Sequence, residues 1–264
     1  MRLAADRKAL VTGGASGFGR AIAQSLQDAG ARVAVVDVNA ELVDRTAAEL
    51  GPDALGIQAD VRSSAAVRAA VDQATAAFGG LDTLVVSAGV FDMGELETVS
   101  EERWDRTLDV NLKGAFLVTQ AAMPHLRASG RGRVVMISSD AGKRGFSALA
   151  PYTASKFGLN GLMESIAAEV AKDNVTVNCL CPVGCPTTGM GQEVLAEKIA
   201  RTGDSAEAIM AKAALTNPLG RNVVETDVSD AVLFLVSEHS GFLTGVALDV
   251  DGGASLGSVP GTDD

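Results

Sequence analysis

The run Ala9-Leu10-Val11-Thr12-Gly13-Gly14-Ala15-Ser16-Gly17-Phe18-Gly19-Arg20 decides the fold. Three apolar residues suited to a strand buried on both faces lead into a Gly-x3-Gly-x-Gly turn, and a helical run from Arg20 to Ala29 follows. Strand, glycine turn and helix in that order bring backbone N–H groups and the positive end of a helix dipole to one point, where a pyrophosphate binds. Gly13, Ser16, Gly17, Phe18 and Gly19 are therefore candidate cofactor contacts. The spacing differs from Gly-x-Gly-x2-Gly, and a glycine cluster alone serves any tight turn, so the strand-turn-helix context carries the reading.

Asp37 closes the second apolar run about 20 residues further on, where a carboxylate accepts hydrogen bonds from the adenosine ribose and repels a 2′-phosphate. Val38 and Asn39 follow it and Ser16 is uncharged, so the pattern favours NAD over NADP. A solvated acid at a strand end is the plainer account of the same residue.

Working outward, Val33 to Val36, Leu84 to Val86, Val134 to Ile137 and Val175 to Val177 read as further buried strands. Between them, Val67, Ala70, Val71, Ala74 and Phe78 keep helical spacing, and another helical stretch runs from Tyr152 to Lys172. Strand alternating with helix predicts an α/β, doubly wound parallel sheet in three α/β/α layers, expected as a single domain over residues 1–264. Residues 187–217 break the alternation and read either as a lid of short helices over a binding site or as a surface excursion.

The 264 residues are 47% hydrophobic, enough for a sizeable core, and the net charge of −11 argues against nucleic acid or anionic membrane as partner. Three cysteines, Cys179, Cys181 and Cys185, form neither a disulfide framework nor a usual zinc spacing, so no metal and a reducing, cytoplasmic setting are expected. No segment reaches 18 apolar residues, and Met1 to Lys8 lacks the apolar stretch of a signal peptide.

Ser138-Ser139 precede Tyr152-Thr153-Ala154-Ser155-Lys156, whose tyrosine is the only one in the chain. On a helix, Tyr152 and Lys156 share a face, and an ammonium beside a phenol favours the phenolate. Tyr-x3-Lys by itself is an ordinary surface pair.

With these residues in order, the chain resembles the short-chain dehydrogenase/reductase family in its compact form, over nearly its whole length. The resemblance implies a Rossmann-type fold, with Asp60-Val61 against the adenine and Ser87-Ala88-Gly89 beside the cofactor. It implies Asn111, Ser139, Tyr152 and Lys156 as the catalytic set, Asn111 holding a proton-relaying water, and Tyr152 and Lys156 also touching cofactor. Pro182, Cys185 and Thr187 would lie at the nicotinamide. Two positions depart from the family pattern: Ser87 replaces an asparagine, and Val183 stands where glycine usually follows the proline.

The expectation is an NAD-dependent oxidoreductase moving hydride between nicotinamide and a secondary alcohol or ketone, with Tyr152 as general acid/base. A nucleotide-binding regulator or scaffold of the same fold and an NAD-assisted epimerase are the alternatives. Lys143 and Arg144 either touch an anionic substrate or are a solvated pair. By the same resemblance the helices around Arg103 to Arg127 and Tyr152 to Lys172, with Leu108, Leu112, Phe116 and Val118, pair with other copies, as does the strand near Val246 to Val250, in a homotetramer.

Overall fold

The computed structural model describes residues 4–256, so the reading of Met1 to Leu3 lies outside the described residues. In chain order the elements begin β1 (Lys8–Thr12), α1 (Gly17–Asp28), β2 (Arg32–Asp37), α2 (Ala40–Leu50), β3 (Leu55–Gln58), α3 (Ser64–Phe78), β4 (Thr83–Val86) and α4 (Glu101–Leu108). They continue α5 (Gly114–Ala128), β5 (Arg133–Ile137), α6 (Ala150–Val170), β6 (Thr176–Pro182), α7 (Gly189–Thr202), α8 (Ala206–Ala214), α9 (Glu225–Val236) and β7 (Ala247–Val250). The strands form one parallel sheet in the order β3-β2-β1-β4-β5-β6-β7, a Rossmann-type doubly wound arrangement.

Because side chains alternate along a strand, each strand feeds two cores. Leu10, Ala34, Leu84 and Met136 pack under α3, α5 and α6, whereas Val11, Val35, Val85 and Val135 pack against α1 and α9. Burial on both faces explains the unbroken apolar runs that mark these strands. The short edge strand β3 carries no such run, since only Ile57 of its four residues is buried.

The amino ends of the central strands are closed by charge. Asp82, buried before β4, accepts from the Lys8 backbone at 3.1 Å, from Thr83 Oγ1 at 2.9 Å, and from Arg131 Nε and Nη2 at 3.1 and 2.8 Å. Arg7 lies 3.8 Å from the same carboxylate and donates to the Arg131 carbonyl at 2.8 Å. Arg133 donates to the Gly132 carbonyl at 2.8 Å, and burial lowers the pKa of both Arg7 and Arg133.

Helices α4 and α5 are one continuous rod joined through a single π-helical turn, Asp109–Lys113. Of the four apolar residues expected outside, Val118 instead faces the core, because it lies about 200° around the helix from Phe116, and Leu112 is partly buried against that core. The large apolar side chains exposed on this side are Trp104, Phe116 and Phe157, and Phe242, Val246 and Leu248 are exposed around β7. Among the described residues, no helix is long and apolar enough to cross a membrane.

Candidate active site

A cleft of about 1110 Å³ opens at the carboxyl ends of the strands, where β1 and β4 adjoin and the chain direction of winding reverses. Gly13, Ser16, Gly17, Phe18 and Gly19 line it, as do Asp37, Asp60, Val61, Ser87, Ala88 and Gly89. Gly13 has φ +63°, and a Cβ there would stand 2.7 Å from the Ala88 Cα; one on Gly19 would meet the Gly13 carbonyl at 2.0 Å. The loop can therefore lie flat only with glycine at these positions. Ser16 caps α1 in extended conformation without a side-chain cap bond, and no acid occupies the first turn. The opening N–H groups of α1 thus remain free for an anion, which is what a dinucleotide's pyrophosphate requires.

Asp37 Oδ2 accepts from the Ala15 N–H at 3.3 Å and Oδ1 from the Asn39 N–H at 3.2 Å, which fixes the carboxylate at the cleft wall. Asp60 is clamped by Arg62, whose Nη2 donates at 2.7 Å, and this pair lowers the Asp60 pKa through the guanidinium hydrogen bond. At the Ser87 departure, the hydroxyl of buried Thr12 accepts from the Ser87 and Ala88 N–H groups at 3.3 and 3.4 Å. Thr12 so ties β4 to β1, a role the sequence pattern did not announce.

Ser139, Tyr152 and Lys156 line the same cleft and are buried. Ser139 ends the β5 extension, where its Oγ accepts from the Ala141 N–H at 3.1 Å and donates to Asp140 Oδ1 at 2.9 Å. One turn separates Tyr152 and Lys156 on α6, and the ammonium lies 5.6 Å from the centroid of the tyrosine ring. Lys156 Nζ donates to the Ile137 carbonyl at 2.9 Å. Burial pushes the Tyr152 pKa up to about 12, opposed by a hydrogen bond from Ser139 and reinforced by the Asp140 charge. Burial likewise lowers Lys156 to about 8. The protein alone therefore raises the phenol's pKa, opposite to the expected lowering, because desolvation outweighs the Ser139 hydrogen bond.

Asn111 does not line the cleft. It sits in the π-helical turn, where Oδ1 accepts from the Val90 N–H at 2.8 Å and Nδ2 donates to the Val90 carbonyl and Ser155 Oγ, both at 3.0 Å. It is a clamp between the loop after β4 and α6, and Ser155 Oγ in turn donates to the Tyr152 carbonyl at 2.7 Å.

Beyond β6, Pro182 and Cys185 line the cleft, but Thr187 does not: its hydroxyl donates to Glu225 at 2.9 Å, and Thr188 takes the wall position. Val183 keeps negative φ and its N–H donates to the Val250 carbonyl at 3.4 Å, so the loop continues the strand pairing without glycine. Lys143 is held by Asp249 at 2.8 Å and Arg144 by Asp140 at 3.4 Å, and neither lines the cleft. Residues 187–217 fold mainly as α7 and α8, which roof the cleft through Met190, Val194, Ile209 and Met210. The three cysteines are free and buried, and among the described residues no group of three or more His, Cys, Asp or Glu could hold a metal ion.

A family model described as short chain dehydrogenase matches residues 7–199. The chain is 40% identical over 252 residues to 4-formylbenzenesulfonate dehydrogenase of Comamonas testosteroni, covering 94% of this chain and 97% of that protein. It is 37% identical over 251 residues to D-threitol dehydrogenase of Mycolicibacterium smegmatis, covering 94% and 92%. A crystal structure of an actinorhodin polyketide ketoreductase variant with NADPH superposes with TM-score 0.90 at 33% identity, covering 96% of this chain and 98% of that one. An aromatic aldehyde and a polyol stand in the names of these relatives, so similarity alone does not choose a substrate.

Proposed function

The chain belongs to the short-chain dehydrogenase family, and from that premise we propose that it is an NAD-dependent dehydrogenase or reductase acting on a secondary alcohol or its ketone. The whole chain is read as one catalytic unit with residues 187–217 as its lid, working in the cytoplasm. One observation carries the proposal: Ser139, Tyr152 and Lys156 meet at the end of a cleft whose other end is a glycine-lined anion cradle.

Ser139 Oγ would hold the substrate oxygen, and Tyr152 would take the hydroxyl proton during oxidation or return it during reduction. Lys156 would place a positive charge near the phenol, and a bound oxidised nicotinamide, which would accept the hydride, would add a second against the desolvation that keeps the phenol neutral. Asn111 and Ser155 position α6, and through it the phenol, and give a polar path from the Tyr152 carbonyl toward Val90. Asp37, flanked by uncharged Ser16, Val38 and Asn39, supports NAD over NADP. The exposed Trp104, Phe116 and Phe157, and the apolar side chains around β7, support a homotetramer.

The test is NADH formation with a panel of secondary alcohols, run beside NAD binding by calorimetry. Turnover that disappears in Tyr152→Phe while NAD still binds is the expected result. Tight binding with no turnover of any alcohol would leave a nucleotide-binding regulator as the better reading.

A further inference from the structure

We propose that the substrate is a largely apolar alcohol or ketone of at least aromatic-ring size, strongly preferred over a polyol. The inference rests on the catalytic reading above and deepens it.

The space beside Ser139 and Tyr152 is enclosed by side chains from four separate parts of the chain. Phe91, in the loop after β4, packs edgewise on the Tyr152 ring at 5.2 Å and 61°. Leu149 approaches from the segment before α6, Val183 from the end of β6, and Met190 and Val194 from one face of α7, with Met210 from α8 completing the roof. All six are only partly buried, so each holds apolar surface toward the cleft that a ligand would remove from water. Two methionines in the roof add side chains that adapt their shape to a bulky ring.

Several charged groups around this wall are committed to each other. Arg103 is bidentate on Asp92 at 3.0 and 2.6 Å, and Arg201 is paired with Glu95 at 2.6 Å. Lys143 is held by Asp249, and Asp140 already serves Ser139 and Arg144. Arg106, Ser147, Glu193 and Lys198 also line the cleft, but all four are exposed and stay in water at its rim. Ser139 and Tyr152 can serve one oxygen between them. The remaining hydroxyls of a polyol would leave water for a wall of carbon and sulfur, whereas an aryl or alkyl chain loses nothing there.

Binding and turnover separate this inference from the reading beneath it. Acetophenone should raise the thermal midpoint of the NAD-saturated protein, while D-threitol at equal concentration should not; the same variation should give kcat/KM about 100-fold higher for 1-phenylethanol than for D-threitol. In Val194→Ser, on a helix with no buried residue, the 1-phenylethanol to 2-propanol ratio of kcat/KM should fall about 10-fold. A midpoint raised by D-threitol as much as by acetophenone, or by neither ligand, would overturn the substrate class. Acetophenone stabilisation without any NADH formation would support it and break the catalytic reading instead.

Discussion

The two ends of the sheet treat charge in opposite ways. At the amino ends, Arg7 and Arg131 pair with one carboxylate, Asp82, and with Arg133 beside them they direct most of their other donors to backbone carbonyls, Arg133 Nε alone lacking a partner among the described residues. At the carboxyl ends, the first N–H groups of α1 have no cap, Tyr152 carries a raised pKa, and Lys156 a lowered one. One end balances its buried charge largely within itself, and the other is arranged for something that arrives later. Stability and function are thereby housed at opposite edges of the same strands, and only at the open end can a ligand relieve the cost of burial.

The largest expected effect tests the open end. Tyr152→Phe keeps the ring and its contact with Phe91, so kcat should drop about 1000-fold, equivalent to about 4 kcal/mol, with thermal stability nearly unchanged. Retention of a tenth of the activity would show that the proton moves elsewhere. At the closed end the pattern should invert. Asp82→Ala leaves buried guanidinium groups uncompensated and should cost about 3–5 kcal/mol in denaturant unfolding, while the protein that remains folded keeps its kcat. Loss of activity without loss of stability would join the two ends that the comparison separates.

Lys156 sharpens the contrast through pH. Its pKa is about 8 in the folded protein against 10.5 for the free side chain, so between those values this group binds more protons in the unfolded chain and contributes stability that grows with pH. The gain across that window should be on the order of 3 kcal/mol, and Lys156→Met should flatten it. Above pH 9 the buried thiols Cys179, Cys181 and Cys185 oppose this contribution, and above pH 10 Tyr152 joins them, because raised pKa values make the folded state the stronger proton binder. Equal slopes in both proteins would place the strain elsewhere. A smaller effect is expected from Asp37→Ala, which should narrow the NAD over NADP ratio of kcat/KM about 10-fold. The smallest belongs to the lid: Arg201→Ala removes an exposed pair with Glu95 and should shift the thermal midpoint by about 1 °C.

The open end was the more legible in sequence, because its chemistry rests on local patterns. The glycine turn, Asp37 and Tyr-x3-Lys each lie within a few residues, so spacing alone sets them on a turn, a strand end or a helix face. The closed end is written at positions 7, 82, 131 and 133, which only strand register brings together, and no local pattern marks it. The same limit hid Thr12, whose hydroxyl acts across to the next strand. Around position 187, adjacent threonines differ only in which way the loop turns them, and Thr188 lines the cleft while Thr187 reaches Glu225. The edge strand β3 escaped for another reason: with one face poorly covered, Leu55–Gln58 needs no apolar run.

The π-helical turn at Asp109–Lys113 reaches further than the clamp it holds. Trp104 and Phe116 are twelve residues apart, and on an unbroken α-helix they would point about 120° away from each other. The extra residue accommodated in the wider turn reduces that to about 20°, so the two rings form one outward ridge while Asn111 is turned inward toward Val90. Deletion of a single codon in this turn would preserve the composition of the rod and keep the reading frame. It would also let the turn close as ordinary α-helix, with the two rings eleven residues and still about 20° apart. The ridge would then survive while the clamp that Asn111 makes from the wider turn would be lost, so a change of length here strikes the site and spares the outer surface.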